Sequence, residues 1–344
     1  MERVISLAYD KKHKADLFIR YILCLFLCLV LIGCTTGCSK RELVNAYCNT
    51  NINMSVEKEG SISESSVNRV TPFSGNLAVL PEGFTNQFQY SSDVGELLLV
   101  NNDTNEILYS KDSMRKVPPA STTKLLTAYI ILTKCNLQDK VTVPHDIALE
   151  NGAVALFIKQ GDVITVDELL HGLLIESAND CGVALAIHAS GSVSEFAKLM
   201  NETALELGAT HSYFKNPHGL DEEGHYSCAY DLYLILKKDL EIPHFVEIVS
   251  KKSYTITYTD SEGEKIETPI TSTNQYFNGK SNPPNGITIL GGKTGTTTNA
   301  GHCLVLSAQN SEQQHLIGVV LNATDRNQLY DTMTRLLKKN SDYP

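Results

Sequence analysis

Pro118-Pro119-Ala120-Ser121-Thr122-Thr123-Lys124-Leu125-Leu126-Thr127 is the stretch on which the reading of this chain turns. The two prolines imply an extended entry, because a residue that precedes proline is pushed out of the helical region. The apolar run Leu125, Leu126, Ala128, Tyr129, Ile130, Ile131 and Leu132 then reads as a buried helix that starts at or just after Ser121. Positions i and i+3 share a helix face, so Ser121 and Lys124 lie one turn apart on the same side. A serine beside a lysine can be a nucleophile with its own base, and the unpaired N–H groups of a helix start can steady an oxyanion next to it. Taken alone, the same residues could be an N-cap and a solvated lysine.

Two later stretches decide between these readings. Ser177-Ala178-Asn179 follows Ser121 by 56 residues and falls at the junction of two helical segments. Lys293-Thr294-Gly295, within Gly291-Gly292-Lys293-Thr294-Gly295-Thr296, follows 116 residues after Ser177 and leads into a strand. Each tripeptide is common by chance, as a helix stop with its cap or as a turn. The ordered trio Ser-x-x-Lys, Ser-x-Asn, Lys-Thr-Gly, each in a fitting context, is a pattern known from class A β-lactamases and penicillin-binding proteins.

On these motifs the sequence resembles the serine-type D-alanyl-D-alanine carboxypeptidases, the low-molecular-mass penicillin-binding proteins. The resemblance spans residues 87–339 and extends to Glu176 and Asp180, His218-Gly219-Leu220-Asp221, His225-Tyr226-Ser227 with Ala229-Tyr230-Asp231, and Ala300-Gly301. It implies an α+β, β-lactamase/transpeptidase-like fold, an antiparallel sheet flanked by helices with a mostly helical insert. Many members carry a second, β-rich domain; this chain ends with its closing helix, so that domain is expected to be absent. The implied substrate is a peptidoglycan stem pentapeptide ending in D-Ala-D-Ala, with β-lactams as covalent inhibitors and neither cofactor nor metal.

The resemblance also assigns roles. Ser121 would attack the carbonyl between the two D-alanines and become acylated. Lys124 would take its proton, which requires a neutral amine and therefore desolvation and nearby positive charge. Lys293 would supply that charge and attract the terminal carboxylate. Ser177 would pass a proton to the departing amine, and Asn179 would hydrogen-bond Lys124 or the substrate backbone. Thr294 and Gly295 belong to the strand along which substrate would lie, and the N–H groups of Ser121 and Thr296 would form the oxyanion hole. Arg326, just before the last helix, would add a contact to the carboxylate.

Composition sets the surroundings. A formal charge of −10 over 344 residues argues against a nucleic-acid partner, since phosphate binding needs a basic face. Lys11, Lys12, Lys14 and Arg20 precede an apolar run of 12 residues at 21–32, within signal-peptide range and short for a membrane span. The run ends in Leu31-Ile32-Gly33-Cys34, which resembles a bacterial lipobox. Residues 1–33 are therefore expected to be a lipoprotein-type signal, with Cys34 the lipidated residue and Cys38 a weaker second choice. The folded part would stand outside the cytoplasm, anchored to the outer face of the cytoplasmic membrane. Residues 34–84 are rich in Ser, Thr, Asn and Glu without apolar period and read as a flexible tether. The carboxypeptidase-like domain is expected over 85–340. Cys38 and Cys48 could pair in the tether; Cys135, Cys181, Cys228 and Cys303 fall in apolar contexts that suit buried thiols.

Along the domain, short apolar runs at 96–100 and 106–109 flank Asn101-Asn102-Asp103-Thr104-Asn105, a hairpin signal. A short strand is expected at 141–143. Thr165 and Ser192 open capping boxes with Glu168 and Glu195, and Ser227 is expected to cap a helix from Ala229. Strands are expected at 254–259 and on to 268, at 300–309 and at 315–322, before a closing helix at 327–339. This order by itself implies a mixed sheet covered by helices.

Three other readings compete. A class A β-lactamase usually has Asp where this chain has Ala178, and needs a loop glutamate to activate the deacylating water. Residues 215–223 lack its Glu-x-x-Leu-Asn pattern, so slow β-lactam turnover is expected. A zinc peptidase would draw on the ten histidines, of which only His218 and His225 lie close together in a loop with acids. A catalytically silent lipoprotein that binds peptidoglycan or senses β-lactams would bind without releasing D-alanine.

Overall fold

The computed structural model describes residues 77–80, 84–86, 94–150 and 152–341, so Cys34, the expected signal and most of the expected tether lie outside the described residues. Strand β1 (Glu96–Asn101) and strand β2 (Glu106–Lys111) form the expected hairpin. A 3₁₀ turn, Ala120–Thr123, leads directly into α1 (Lys124–Lys134). Strands β3 (Lys140–Thr142) and β4 (Val163–Thr165) precede α2 (Val166–His171), a π-helical segment Gly172–Glu176, α3 (Asn179–Ser190), α4 (Val193–Glu206), α5 (Ala229–Asp239) and α6 (Pro243–Val249). Strands β5 (Ser253–Thr259) and β6 (Lys265–Thr271), helix α7 (Gln275–Asn278), strands β7 (Thr288–Thr297), β8 (Gly301–Gln309) and β9 (His315–Ala323), and helix α8 (Arg326–Ser341) complete the domain.

The main sheet has the order β2-β1-β9-β8-β7, so the hairpin at the start of the domain pairs with one of its last strands. Every pairing is antiparallel, which corrects the mixed sheet implied by element order. Alternation of side chains splits β1 between two cores. Leu97 and Leu99 pack with Leu304, Leu306 and Val320 beneath Leu329, Met333, Leu336 and Leu337 of α8. Leu98 and Val100 join Val305, Ile317 and Val319 on the face toward the helical layer. There α1 is buried through Leu125, Leu126, Ala128, Ile130 and Ile131, as its continuous apolar run requires. A second antiparallel sheet, β3-β4-β5-β6, joins the expected strands β3, β5 and β6 through β4, a three-residue strand just before the Thr165 cap that the sequence pattern did not mark.

Two caps follow the sequence: Thr165 accepts from Glu168 N–H at 3.2 Å and Ser192 from Glu195 N–H at 3.2 Å. The third does not. Cys228, not Ser227, caps α5, its Sγ accepting from Asp231 N–H at 3.4 Å. Ser227 is held one residue too early, because its backbone bridges Val117 and its hydroxyl pairs with Ser212 at 2.8 Å. Packing also begins before residue 85. Ala78 is fully buried, its N–H donates to the Tyr233 hydroxyl at 3.2 Å and its carbonyl accepts from Tyr230 at 2.6 Å, so the end of the stretch expected to be tether belongs to the core.

Candidate active site

The serine turn is shaped by its entry. Val117 enters extended, bridged to Ser227, Pro119 turns into the helical region at φ −86° and ψ −10°, and Ala120 is left-handed at φ 49°. Thr122 closes the turn on the Pro119 carbonyl with its hydroxyl at 2.7 Å. The loop His218-Gly219 passes so close that a Cβ on Gly219 would stand 1.8 Å from the Ala120 carbonyl oxygen; only glycine fits, and its φ of 85° suits glycine as well. That approach delivers the His218 carbonyl to Lys124.

Lys124 is completely buried. Its Nζ lies 2.8 Å from Ser121 Oγ, 2.8 Å from Asn179 Oδ1 and 2.8 Å from the His218 carbonyl. Burial holds its pKa well below that of an ordinary lysine, and the neighbouring Lys293 pushes the same way. Asn179 is fixed by Val154, whose carbonyl accepts from both its backbone N–H at 2.8 Å and its Nδ2 at 2.9 Å. This turns Oδ1 toward the lysine.

The approach to Asn179 is unusual backbone. The π-helical segment Gly172–Glu176 ends at Ser177, a non-glycine residue in the left-handed region at φ 69°, and Ala178 N–H returns to the Gly172 carbonyl at 3.0 Å. Such strain collects where a side chain must be aimed. Ser177 faces the cleft and its hydroxyl has no hydrogen-bond partner among the described residues.

Strand β7 forms the opposite wall and is an edge strand of the main sheet. Lys293 is fully buried, donates to the Thr294 carbonyl at 2.8 Å, and has its pKa lowered to about 7 by burial, against the pull of Glu176. A Cβ on Gly295 would meet Ser121 N at 2.8 Å and Ala120 Cβ at 2.9 Å, so this glycine first of all lets β7 lie against the serine turn. Between the walls is a cleft of about 250 Å³ lined by Ser121, Ser177, Thr294, Gly295, Thr296 and Arg326 among others, with Lys124, Asn179 and Lys293 buried behind it. The sequence candidates of the domain thus meet around one opening. Arg326 is exposed at the start of α8, and the adjacent Asp325 is occupied in capping that helix, accepting from Gln328 N–H at 2.9 Å.

Residues 84–325 match the peptidase S11 family of D-alanyl-D-alanine carboxypeptidases. The chain belongs to this family. Among curated S11-type relatives it is 35% identical over 273 residues to D-alanyl-D-alanine carboxypeptidase DacF of Bacillus subtilis, covering 76% of this chain and 67% of the relative. It is 34% identical over 248 residues to DacC of Escherichia coli, covering 69% and 58%. The chain therefore spans about three fifths to two thirds of these relatives' lengths. The Streptomyces K15 DD-transpeptidase superposes with a TM-score of 0.67 at 28% identity, covering 73% of this chain and 98% of that one. Penicillin-binding protein 6B of Escherichia coli superposes with a TM-score of 0.63 at 29% identity, covering 73% and 78%. The transpeptidase-like α+β fold is the one the motifs implied.

Several residues that build this carboxypeptidase-type site had no role in the sequence reading. Asp180 accepts from Leu156 N–H at 3.1 Å and Ile158 N–H at 3.2 Å, pinning the loop that carries Val154. Asp221 accepts from the Thr297 hydroxyl at 2.7 Å and Asn299 N–H at 3.1 Å, fixing the end of β7. Both acids sit in stretches already singled out, Asn179-Asp180 and Leu220-Asp221, which was the available signal. His218 and His225 are tied into the loop by backbone and side-chain contacts. Backbone N–H groups donate to the Nδ1 of each, from Leu220 at 3.2 Å and Lys215 at 3.3 Å, and His225 Nε2 lies 2.9 Å from the Thr123 hydroxyl.

Proposed function

We propose that this chain removes the terminal D-alanine from peptidoglycan stem pentapeptides ending in D-Ala-D-Ala, through acylation of Ser121. The observation that carries the reading is the contact set of Lys124. An amine buried this deeply, with two carbonyl oxygens as its other neighbours, directs its lone pair at the Ser121 hydroxyl when neutral. In this reading Lys124 takes the hydroxyl proton as Oγ attacks. The backbone N–H groups of Ser121 and Thr296 receive the oxyanion, where one donor is typically worth ~10²–10³ in rate. The leaving amine takes a proton from the Ser177 hydroxyl, which Lys124 replenishes, and water then releases the acyl group. Lys293, Thr294, Thr296 and Arg326 take the terminal carboxylate, and the substrate backbone lies along the free edge of β7. β-Lactams acylate the same hydroxyl and leave slowly, because the 215–223 loop offers His218-Gly219 backbone where a deacylating glutamate would be needed.

The basic segment before the apolar run and the Leu31-Ile32-Gly33-Cys34 sequence support export and lipidation at Cys34. The domain then works outside the cytoplasm, held to the outer face of the membrane by residues 34 onward. Incorporation of a labelled fatty acid, lost in Cys34→Ala, tests this.

The activity is tested by incubating the protein with a peptide ending in D-Ala-D-Ala and assaying free D-alanine, with Ser121→Ala in parallel and a labelled penicillin as reporter of acylation. Release by the wild type and neither release nor labelling in the variant is the expected result. Penicillin labelling without D-alanine release would point to the silent binding protein, and transfer to an added amine in preference to water to a transpeptidase.

A further inference from the structure

His302 lines the cleft, although neither the motifs nor the proposed mechanism uses it. It lies on β8 directly opposite Thr296 of β7, and its Nδ1 is 3.0 Å from Thr296 Oγ1. Its partner on β9 is Ala323, so neither neighbouring strand sets a charge against it. The charges that act on it come from the start of α8, Arg326 and Asp325. Farther round the cleft stand Glu176 and Lys280, with Lys293 buried in β7.

The Thr296–His302 contact has two directions, and they have opposite consequences for an anion in the cleft. If the hydroxyl donates to Nδ1, its proton is spent and its lone pairs face the anion. If Nδ1–H donates to the hydroxyl, the Thr296 proton is free to point into the cleft. We propose that His302 is a positioning residue for the substrate's C-terminal carboxylate, holding the Thr296 hydroxyl as a donor and, as imidazolium, adding a positive charge beside Arg326. This rests on the reading of the cleft as a D-Ala-D-Ala site. Burial and Arg326 keep the free imidazole below its ordinary pKa, while Asp325 pulls the other way. A bound carboxylate favours the cation, so substrate binding takes up a proton at this site and is strengthened by acid.

The test uses two substrates that differ only at the C-terminus, a peptide ending in D-Ala-D-Ala and the same peptide ending in the carboxamide. His302→Phe is expected to raise KM for the acid roughly 10-fold, as for loss of a hydrogen bond to a charged group, with kcat changed much less and the amide unaffected. His302→Asn, which keeps an N–H donor near the Nδ1 position, is expected to recover most of the loss at pH 8. Its KM relative to wild type should grow as the pH falls toward 5, because it cannot charge. Equal effects on acid and amide, or a loss in kcat alone, would overturn the proposal and leave His302 a packing residue. Wild-type protein that takes up labelled penicillin but releases neither D-alanine from the acid nor D-alaninamide from the amide would overturn the functional reading itself, and this proposal with it.

Discussion

Lys124 Nζ and Ser121 Oγ are 2.8 Å apart, and the other two atoms bonded to that amine, Asn179 Oδ1 and the His218 carbonyl, can only accept. A charged ammonium satisfies all three neighbours by donating. A neutral amine has two protons for the two carbonyls and one lone pair, which falls to the hydroxyl. The same geometry therefore accommodates either protonation state. Which form prevails is set by burial and by Lys293, the two causes that depress the amine's pKa.

Asn179→Asp tests this directly. A carboxylate at the place of Oδ1 would favour the ammonium and remove the base at neutral pH, so acylation by a labelled penicillin is expected to fall ~10²-fold or more, the usual worth of a positioned general base. The rate should recover as the pH rises, because the amine is still present. Asn179→Ala, which adds no charge, is expected to lose less at pH 7 and to keep the wild-type acid limb. Stopped-flow acylation across pH distinguishes the two; parallel profiles would show that Asn179 only holds the fold.

The pH dependence of D-alanine release follows from the same pair of amines. Lys124 must be neutral, so activity rises with pH through its depressed pKa. In the role proposed for it Lys293 must be charged, to draw in the carboxylate and keep Lys124 neutral, so activity falls as the pH passes about 7. A bell in kcat/KM is expected, its two limbs belonging to the coupled lysines together. A bound carboxylate stabilises the Lys293 cation, so the alkaline limb in kcat should lie above that in kcat/KM. Lys293→Arg, which cannot discharge, should move that limb beyond pH 9. An alkaline limb unchanged in this variant would assign it to another group.

Much of this site was legible in the sequence because its parts are local. Ser121 and Lys124 meet through helical spacing alone, while Ser177, Asn179, Lys293 and Gly295 were marked by the ordered motifs of the family the chain resembles. What could not be read was what long-range packing decides. The His218 carbonyl reaches Lys124 only because Gly219 slides past Ala120, and no periodicity encodes that contact. The β1–β9 pairing and the second sheet depend on partners far apart in the chain. His302 carries no sequence signal for a similar reason. Its link to Thr296 is a cross-strand register pair, fixed by where the β7–β8 turn falls.

Ser177 combines backbone strain with the proton-relay role proposed for it, and substitutions can separate the two. Its φ of 69° costs an L-residue roughly 1 kcal/mol or more but costs glycine little. Ser177→Ala keeps the strain and removes the hydroxyl; Ser177→Gly removes both. The glycine variant is therefore expected to be more stable than the alanine variant by roughly 0.5–1 kcal/mol in urea unfolding, once the extra freedom of its unfolded chain is subtracted from the relieved strain. Both should lose D-alanine release to the same extent, roughly 10²-fold for a lost proton relay. If the glycine variant were the less stable, the left-handed turn would be supported by its surroundings rather than strained. If it alone kept activity, the hydroxyl would not be the proton carrier, and the leaving amine would take its proton straight from Lys124.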